Sequence, residues 1–166
     1  MADTSPTVRL AVAADAEEIW RLLEPMIRAG ETFALDRDMS RDAALAYWLG
    51  TDETTFVAQD ADGTIIGTYF LKANQAGGGR HVSNCGYVVA PHTTGRGVAR
   101  TMAEHSFVIA RSQGFTAMQY NFVIASNVRA VRLWEDLGFA IVGRLPGAFI
   151  HPTDGAVDAL VMHRFL

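Results

Sequence analysis

Thr94-Gly95-Arg96-Gly97-Val98-Ala99-Arg100 is the stretch with the clearest chemical content in this 166-residue chain. It follows an apolar run, Tyr87–Val89, and opens a helical pattern, so two glycines fall between a strand end and a helix start. Such a junction leaves backbone N–H groups unpaired at the positive end of a helix dipole, which suits a phosphate-bearing ligand. Two familiar nucleotide motifs do not fit. A P-loop needs Gly-Lys-Ser/Thr, and no lysine is near. The dinucleotide pattern G-x-G-x-x-G fails at Arg100, and Phe115–Phe122 holds no acidic residue for a ribose.

Other polar residues are candidates for chemistry at lower specificity. Asn121 interrupts the apolar strand Tyr120–Val123, where it either holds a water, an amine or a carbonyl, or is a buried amide bonded to main chain. Glu31 lies in a loop between the first two helical patterns, and His81, His92 and Tyr87 flank the run that leads to the glycines. Cys85 is the single cysteine, so no internal disulfide forms and no zinc site can be built from thiolates. Its reading as a buried structural thiol is preferred over that of an acyl-carrying nucleophile. No histidine pair has metal-ligand spacing, and no metal is expected.

The elements that position these residues follow from periodicity. Val8–Val12 reads as a strand, and Asp15 with Glu18 predicts a capping box for a helix whose stripe is Ile19, Leu22, Leu23, Met26 and Ile27, ending at Gly30. Ser40 caps a second helix. Thr54–Gln59 and Thr64–Leu71 form a hairpin across Asp60-Ala-Asp-Gly63, and His81–Val89 is the next strand after a glycine-rich turn. A helix over Val98–Ser112, a strand over Ala117–Val123 and a helix from Ser126 or Asn127 to Leu137 follow, the last stopped by Gly138. Phe139–Arg144 and Val157–Phe165 are strands, and the prolines and glycines of Leu145–Gly155 predict a loop. The fold class is α+β, a mixed, mostly antiparallel central sheet flanked by helices, in the order β-α-α-β-β-β-α-β-α-β-β, with residues 1–166 as one domain.

In this order the chain resembles the GNAT superfamily of N-acetyltransferases. Val89-Ala90-Pro91 followed by Thr94–Ala99 is similar to its strand-end valine and proline and its Q/R-x-x-G-x-G/A loop, with Thr94 in place of Gln or Arg. Asn127-Val-Arg-Ala130-Val-Arg-Leu133-Trp134-Glu-Asp-Leu-Gly138-Phe139 resembles the downstream N-x-x-A-x-x-L-Y-x-x-x-G-F signature. The resemblance implies acetyl-CoA as cosubstrate, held by Val88, Val89, Thr94, Gly95, Arg96, Gly97, Val98, Ala99, Arg100, Asn127, Ala130 and Trp134. It gives Asn127 a pantetheine contact beside its capping role, and Arg129 and Arg132 either a ribose 3′-phosphate or solvent. It makes the backbone N–H of Val89 the oxyanion donor, and puts Glu31, Phe33, Tyr87 and Asn121 at the amine acceptor, with Asn121 and Glu31 as catalytic candidates. Phe33, Trp48 and Phe149 line a pocket or belong to the core.

Trp134 stands where the family often has a tyrosine that protonates the departing thiolate, and an indole N–H is no acid in this range. Either no general acid is used, since a thiol of pKa about 8.5 leaves well unaided, or another residue supplies the proton, or catalysis is lost. The tail Gly143–His163 resembles small-molecule members acting on azetidine-carboxylate or phosphinothricin. The implied acceptor is therefore a small, amino-acid-like amine acetylated directly. The alternatives are a regulatory acetyl-CoA-binding domain and a protein N-acetyltransferase. Pairing through C-terminal strands makes a homodimer possible.

Composition bounds the rest. Hydrophobic residues at 49% and charged ones at 19% describe an ordinary globular chain. A net charge of −4 argues against a general nucleic-acid binder. No apolar run approaches the roughly 20 residues of a membrane helix, and the N-terminus lacks a signal-peptide pattern. A cytoplasmic location is expected. Lys72 is the only lysine; every other basic side chain is arginine.

Overall fold

Ile19, Leu22, Leu23 and Ile27 recur at helical spacing, and all four are buried, which fixes one helix face against a sheet. The computed structural model describes residues 5–166. The elements are β1 (Thr7–Leu10), α1 (Ala16–Ala29), α2 (Arg41–Trp48), β2 (Thr54–Gln59), β3 (Ile65–Ala73), β4 (Val82–Val89), α3 (Val98–Ser112), β5 (Ala117–Ile124), α4 (Val128–Asp136), β6 (Ala140–His151) and β7 (Gly155–Phe165). One sheet runs β1-β2-β3-β4-β5-β7-β6. Only β4 and β5 are parallel, because the α3 crossover between them returns the chain in the same direction. The expected class and element order are both found.

The helices take opposite faces. Trp48 at the end of α2 sets its ring T-shaped to Phe70 of β3 at 4.9 Å and donates its indole N–H to Thr68 Oγ1. On the other face, Tyr69 and Tyr87 reach His105 and Ser106 of α3, and Trp134 of α4 lies 5.2 Å from the Tyr87 ring. Gly30 ends α1 at φ 65°, in the left-handed region that favours glycine. Ser40 Oγ accepts the Ala43 N–H and caps α2.

Two expectations need correction. Asp15 does not cap α1 through its side chain. Its carboxylate takes two bonds from Arg9, at 2.7 and 2.9 Å, and a third from the Val12 N–H. A bidentate pair with charge on both partners outcompetes a cap whose donor is an uncharged amide. The second correction concerns Leu145–Gly155, most of which is strand: β6 runs to His151 and turns over Pro152–Asp154. Between Leu145 and Phe149, four steps along β6 face two along β7, from Ala159 to Val157. Pro146 and Gly147 sit in that bulge on an edge strand, where a missing N–H breaks no ladder. Gly147 adopts φ 57° and donates its N–H to Asp158.

Candidate active site

β4 and β5 pair only at Val82↔Ala117 and Ser83↔Met118, then part. The Asn84 side chain closes the fork by donating to the Gln119 carbonyl at 2.9 Å. Beyond it, a cavity of about 750 Å³ passes between the two strands. The Asn74 N–H bonds the Val82 carbonyl and the Ala90 N–H bonds the Ile66 carbonyl, which sets the alternation along the β3–β4 ladder. The N–H groups of Tyr87 and Val89 must then point away from β3, into the space that β5 has left.

The glycine loop forms the cavity's upper rim. Gly95 and Gly97 have φ 89° and 79°, and a Cβ on either would meet nothing within 4 Å. Glycine is therefore needed for its backbone conformation and not for packing. The N–H groups of Thr93, Thr94 and Arg96 are bonded to Ala90, Pro91 and Thr93 carbonyls inside the loop. The first intrahelical bond of this turn runs from the Thr101 N–H to the Gly97 carbonyl. That leaves the N–H groups of Val98, Ala99 and Arg100 as the orphan donors of the helix start. Arg96 itself turns away to pair with Asp60 of the β2–β3 hairpin at 2.9 Å.

On the opposite rim Asn127 caps α4, accepting the Ala130 N–H at 3.2 Å through Oδ1. The cap uses Oδ1 alone, so the Nδ2 donors stay available for the expected cofactor contact. The profile of the acetyltransferase (GNAT) family matches residues 16–139, which contain both loops and the fork. The chain belongs to the GNAT acetyltransferase family. As a member it is an acetyl-CoA-dependent N-acetyltransferase.

A GCN5-related N-acetyltransferase from Kribbella flavida is 39% identical with a TM-score of 0.93, covering 98% of each chain. The N-acetyltransferase aca1 of Schizosaccharomyces pombe is 27% identical over 81% of this chain and 72% of its own length. A phosphinothricin acetyltransferase from Sinorhizobium meliloti, in complex with AcCoA, shares the fold at 22% identity and TM-score 0.86, covering 98% of this chain and 89% of its own.

The residues expected at this GNAT site fall into place unevenly. Val88, Val89, Thr94, Gly95, Gly97, Val98, Ala99, Arg100, Asn127, Ala130 and Trp134 line the cavity, as do Phe33, Tyr87 and Asn121. Arg96 and Glu31 do not line it. Glu31 is exposed at the start of the α1–α2 loop, whose next four residues do form the wall. Arg129 lines the cavity whereas Arg132 is exposed away from it. His81 borders a separate shallow cleft near Gly114, and His92 is exposed. Trp48 is core behind Phe33 and Phe70, and Phe149 packs on Phe122 outside the cavity.

Asn121 is exposed at a bulge of β5, where the register with β7 shifts between Tyr120 and Val123. It donates to Asn74 Oδ1 at 2.6 Å and accepts from Gln119 Nε2 at 2.9 Å, forming a row of side-chain amides on the α1/α2 face. It is not the buried, main-chain-bonded amide of one sequence reading. Gly86, Tyr120, Asn84, Tyr47 and Phe70 also line the cavity and were not singled out from the sequence. An isolated glycine within a strand was the available signal for Gly86. A Cβ there would fall 2.6 Å from Phe70 Cε1 and 3.3 Å from Phe33 Cε1, so the glycine makes room for both rings.

The two phenols beside Trp134 are hydrogen-bonded within the protein. Tyr120 donates to the Tyr87 hydroxyl at 3.1 Å, and Tyr87 lies 2.8 Å from Ser106 Oγ. Burial pushes both phenols well above their ordinary range. Burial likewise pushes the Cys85 thiol up to about 12, which leaves little thiolate for nucleophilic work. Among the described residues no group of three His, Cys, Asp or Glu is placed to hold a metal, and no helix is long and apolar enough to cross a membrane.

Proposed function

We propose that this enzyme transfers the acetyl group directly from acetyl-CoA to the amine of a small molecule. The observation that carries the reading is the cavity at the fork. One end meets the orphan N–H groups of α3, and the other opens among Phe33, Tyr47 and Phe70 on the opposite face of the sheet. The cofactor's pyrophosphate sits on the N–H groups of Val98, Ala99 and Arg100, its pantetheine runs between β4 and β5 past Asn127, and its thioester reaches the Val89 N–H. The amine arrives uncharged from the α1/α2 side, held by the amide oxygens of Asn84 and Asn121.

Its nitrogen lone pair forms the N–C bond to the carbonyl carbon, and the oxyanion is stabilised by the Val89 N–H. The C–S bond then breaks, and the thiolate takes up the proton that the amine sheds. Orientation of two bound reactants contributes several kcal/mol of this rate. Glu31 serves at most as a loop charge outside the wall. An amino-acid-like acceptor would have to bring its carboxylate to Lys72, which stands just behind Phe70 and Tyr47.

The test mixes the protein, acetyl-CoA and a panel of amines under a free-thiol readout. Amine-dependent thiol release with an N-acetylated product supports the reading. Acetyl-CoA binding without release for any amine means a binding domain, and release only with peptides or proteins means a protein acetyltransferase.

A further inference from the structure

The charge distribution around the cavity narrows the acceptor beyond a small amine, on the premise that the site is the transferase described above. Among the described residues, the only charged side chains lining it are those of Arg100 and Arg129. Both belong to α3 and α4, on the cofactor face of the sheet. The acceptor end is built from rings and amides. Phe33 lies 5.9 Å from Trp48, Tyr47 lies 5.9 Å from Phe70 in a T-shaped pair, and Gly86 leaves the floor open beneath Phe33 and Phe70.

The cation that stands over these rings is already committed. Lys72 Nζ bonds Glu53 Oε1 at 3.0 Å and lies over the rings of Phe70 and Tyr47 at 5.2 and 5.8 Å. Glu53 is 11% exposed at its side chain, so taking Lys72 from it would strand a nearly buried carboxylate. Among these rings a substrate carboxylate would meet the paired Lys72 in place of a lining cation, and would lose its water. A flat apolar body would gain ring contacts with Phe33, Tyr47 and Phe70.

We infer that the acceptor is a primary amine carried on an aromatic or comparably flat apolar body and lacking a carboxylate, with the α1–α2 aromatic cluster setting that preference. An uncharged amine also suits a chamber with no acidic side chain, since its desolvation favours the form that attacks.

Matched pairs test this: 2-phenylethylamine against phenylalanine and tyramine against tyrosine, each with acetyl-CoA and a thiol readout, alongside calorimetric titration of acetyl-CoA. The amine of each pair is expected to exceed its amino acid in kcat/KM by at least about tenfold. In Phe33→Ala, a loop variant, KM for the aryl amine is expected to rise about tenfold at unchanged acetyl-CoA affinity. Equal or better use of the amino acids, or an unchanged KM in Phe33→Ala, overturns the inference while leaving the transferase reading intact. Acetyl-CoA binding with no thiol release from any amine overturns both.

Discussion

The indole of Trp134 lies 5.2 Å from the ring of Tyr87 at an interplanar angle of 36°, and 4.9 Å from Tyr120. The side chain at the family's usual acid position is therefore one wall of an aromatic cluster, and the two nearest phenols bond each other. Replacing Tyr87 or Tyr120 with Phe is expected to lower kcat less than about tenfold, whereas loss of a true general acid costs roughly 100- to 10,000-fold. Trp134→Tyr is expected to leave turnover within a few-fold of the parent. Steady-state kinetics on the three variants decides, and a hundredfold loss in either phenylalanine variant would reveal an acid.

Gly97 precedes α3 at φ 79° with open space where a Cβ would stand. Gly97→Val is expected to lose about 1–2 kcal/mol of stability to backbone strain, with the fold retained by circular dichroism. Its affinity for acetyl-CoA is expected to drop about a hundredfold, because the side chain enters the phosphate's approach and displaces two or more charge-assisted donors. Calorimetry giving parental affinity would refute the loop as the pyrophosphate site.

Asn127 separates its two duties by atom. Oδ1 caps α4, which leaves the Nδ2 donors for a ligand at the cavity wall. Asn127→Ala is expected to cost about 1 kcal/mol of stability and to raise KM for acetyl-CoA. Asn127→Asp keeps the capping oxygen, so its melting temperature should stay near the parent's while KM rises about three- to tenfold. A parental KM in the aspartate variant would confine Asn127 to capping.

The Asp15 carboxyl is held below its ordinary range, chiefly by the paired hydrogen bonds from Arg9, with the Val12 N–H adding to them and burial opposing. A depressed folded value means stability that is present above the unfolded pKa of about 3.9 and lost as pH falls through the folded one. Because Arg9 is 39% exposed at its side chain, the contribution is discounted to about 1 kcal/mol. Asp15→Asn is expected to melt lower than the parent at pH 7 and to converge on it below about pH 4. A gap that persists at low pH would assign the loss to packing instead.

Local chemistry made much of this protein legible as sequence. Gly95 and Gly97 announced a tight strand-to-helix junction, Asn127 and Ser40 announced caps, and Gly30 announced a helix end, each because one residue type satisfies one backbone requirement. The same local reading erred where partners lie far away. Asp15 was drawn from its cap by Arg9, and Pro146 and Gly147 were absorbed by a bulge because β6 happens to be an edge.

On the α1/α2 side of the cavity, the family resemblance reached Phe33, Tyr87 and Asn121 but not Tyr47, Phe70 or Gly86. Phe33, Tyr47, Phe70 and Gly86 come from a loop, a helix and two strands, and nothing in their spacing shows that they share a wall. Nor does it show that Lys72, the chain's only lysine, is neutralised by Glu53. Short-range hydrogen bonding and φ preferences are written residue by residue. The fork between β4 and β5, and the rings gathered beside it, exist only once the sheet has paired.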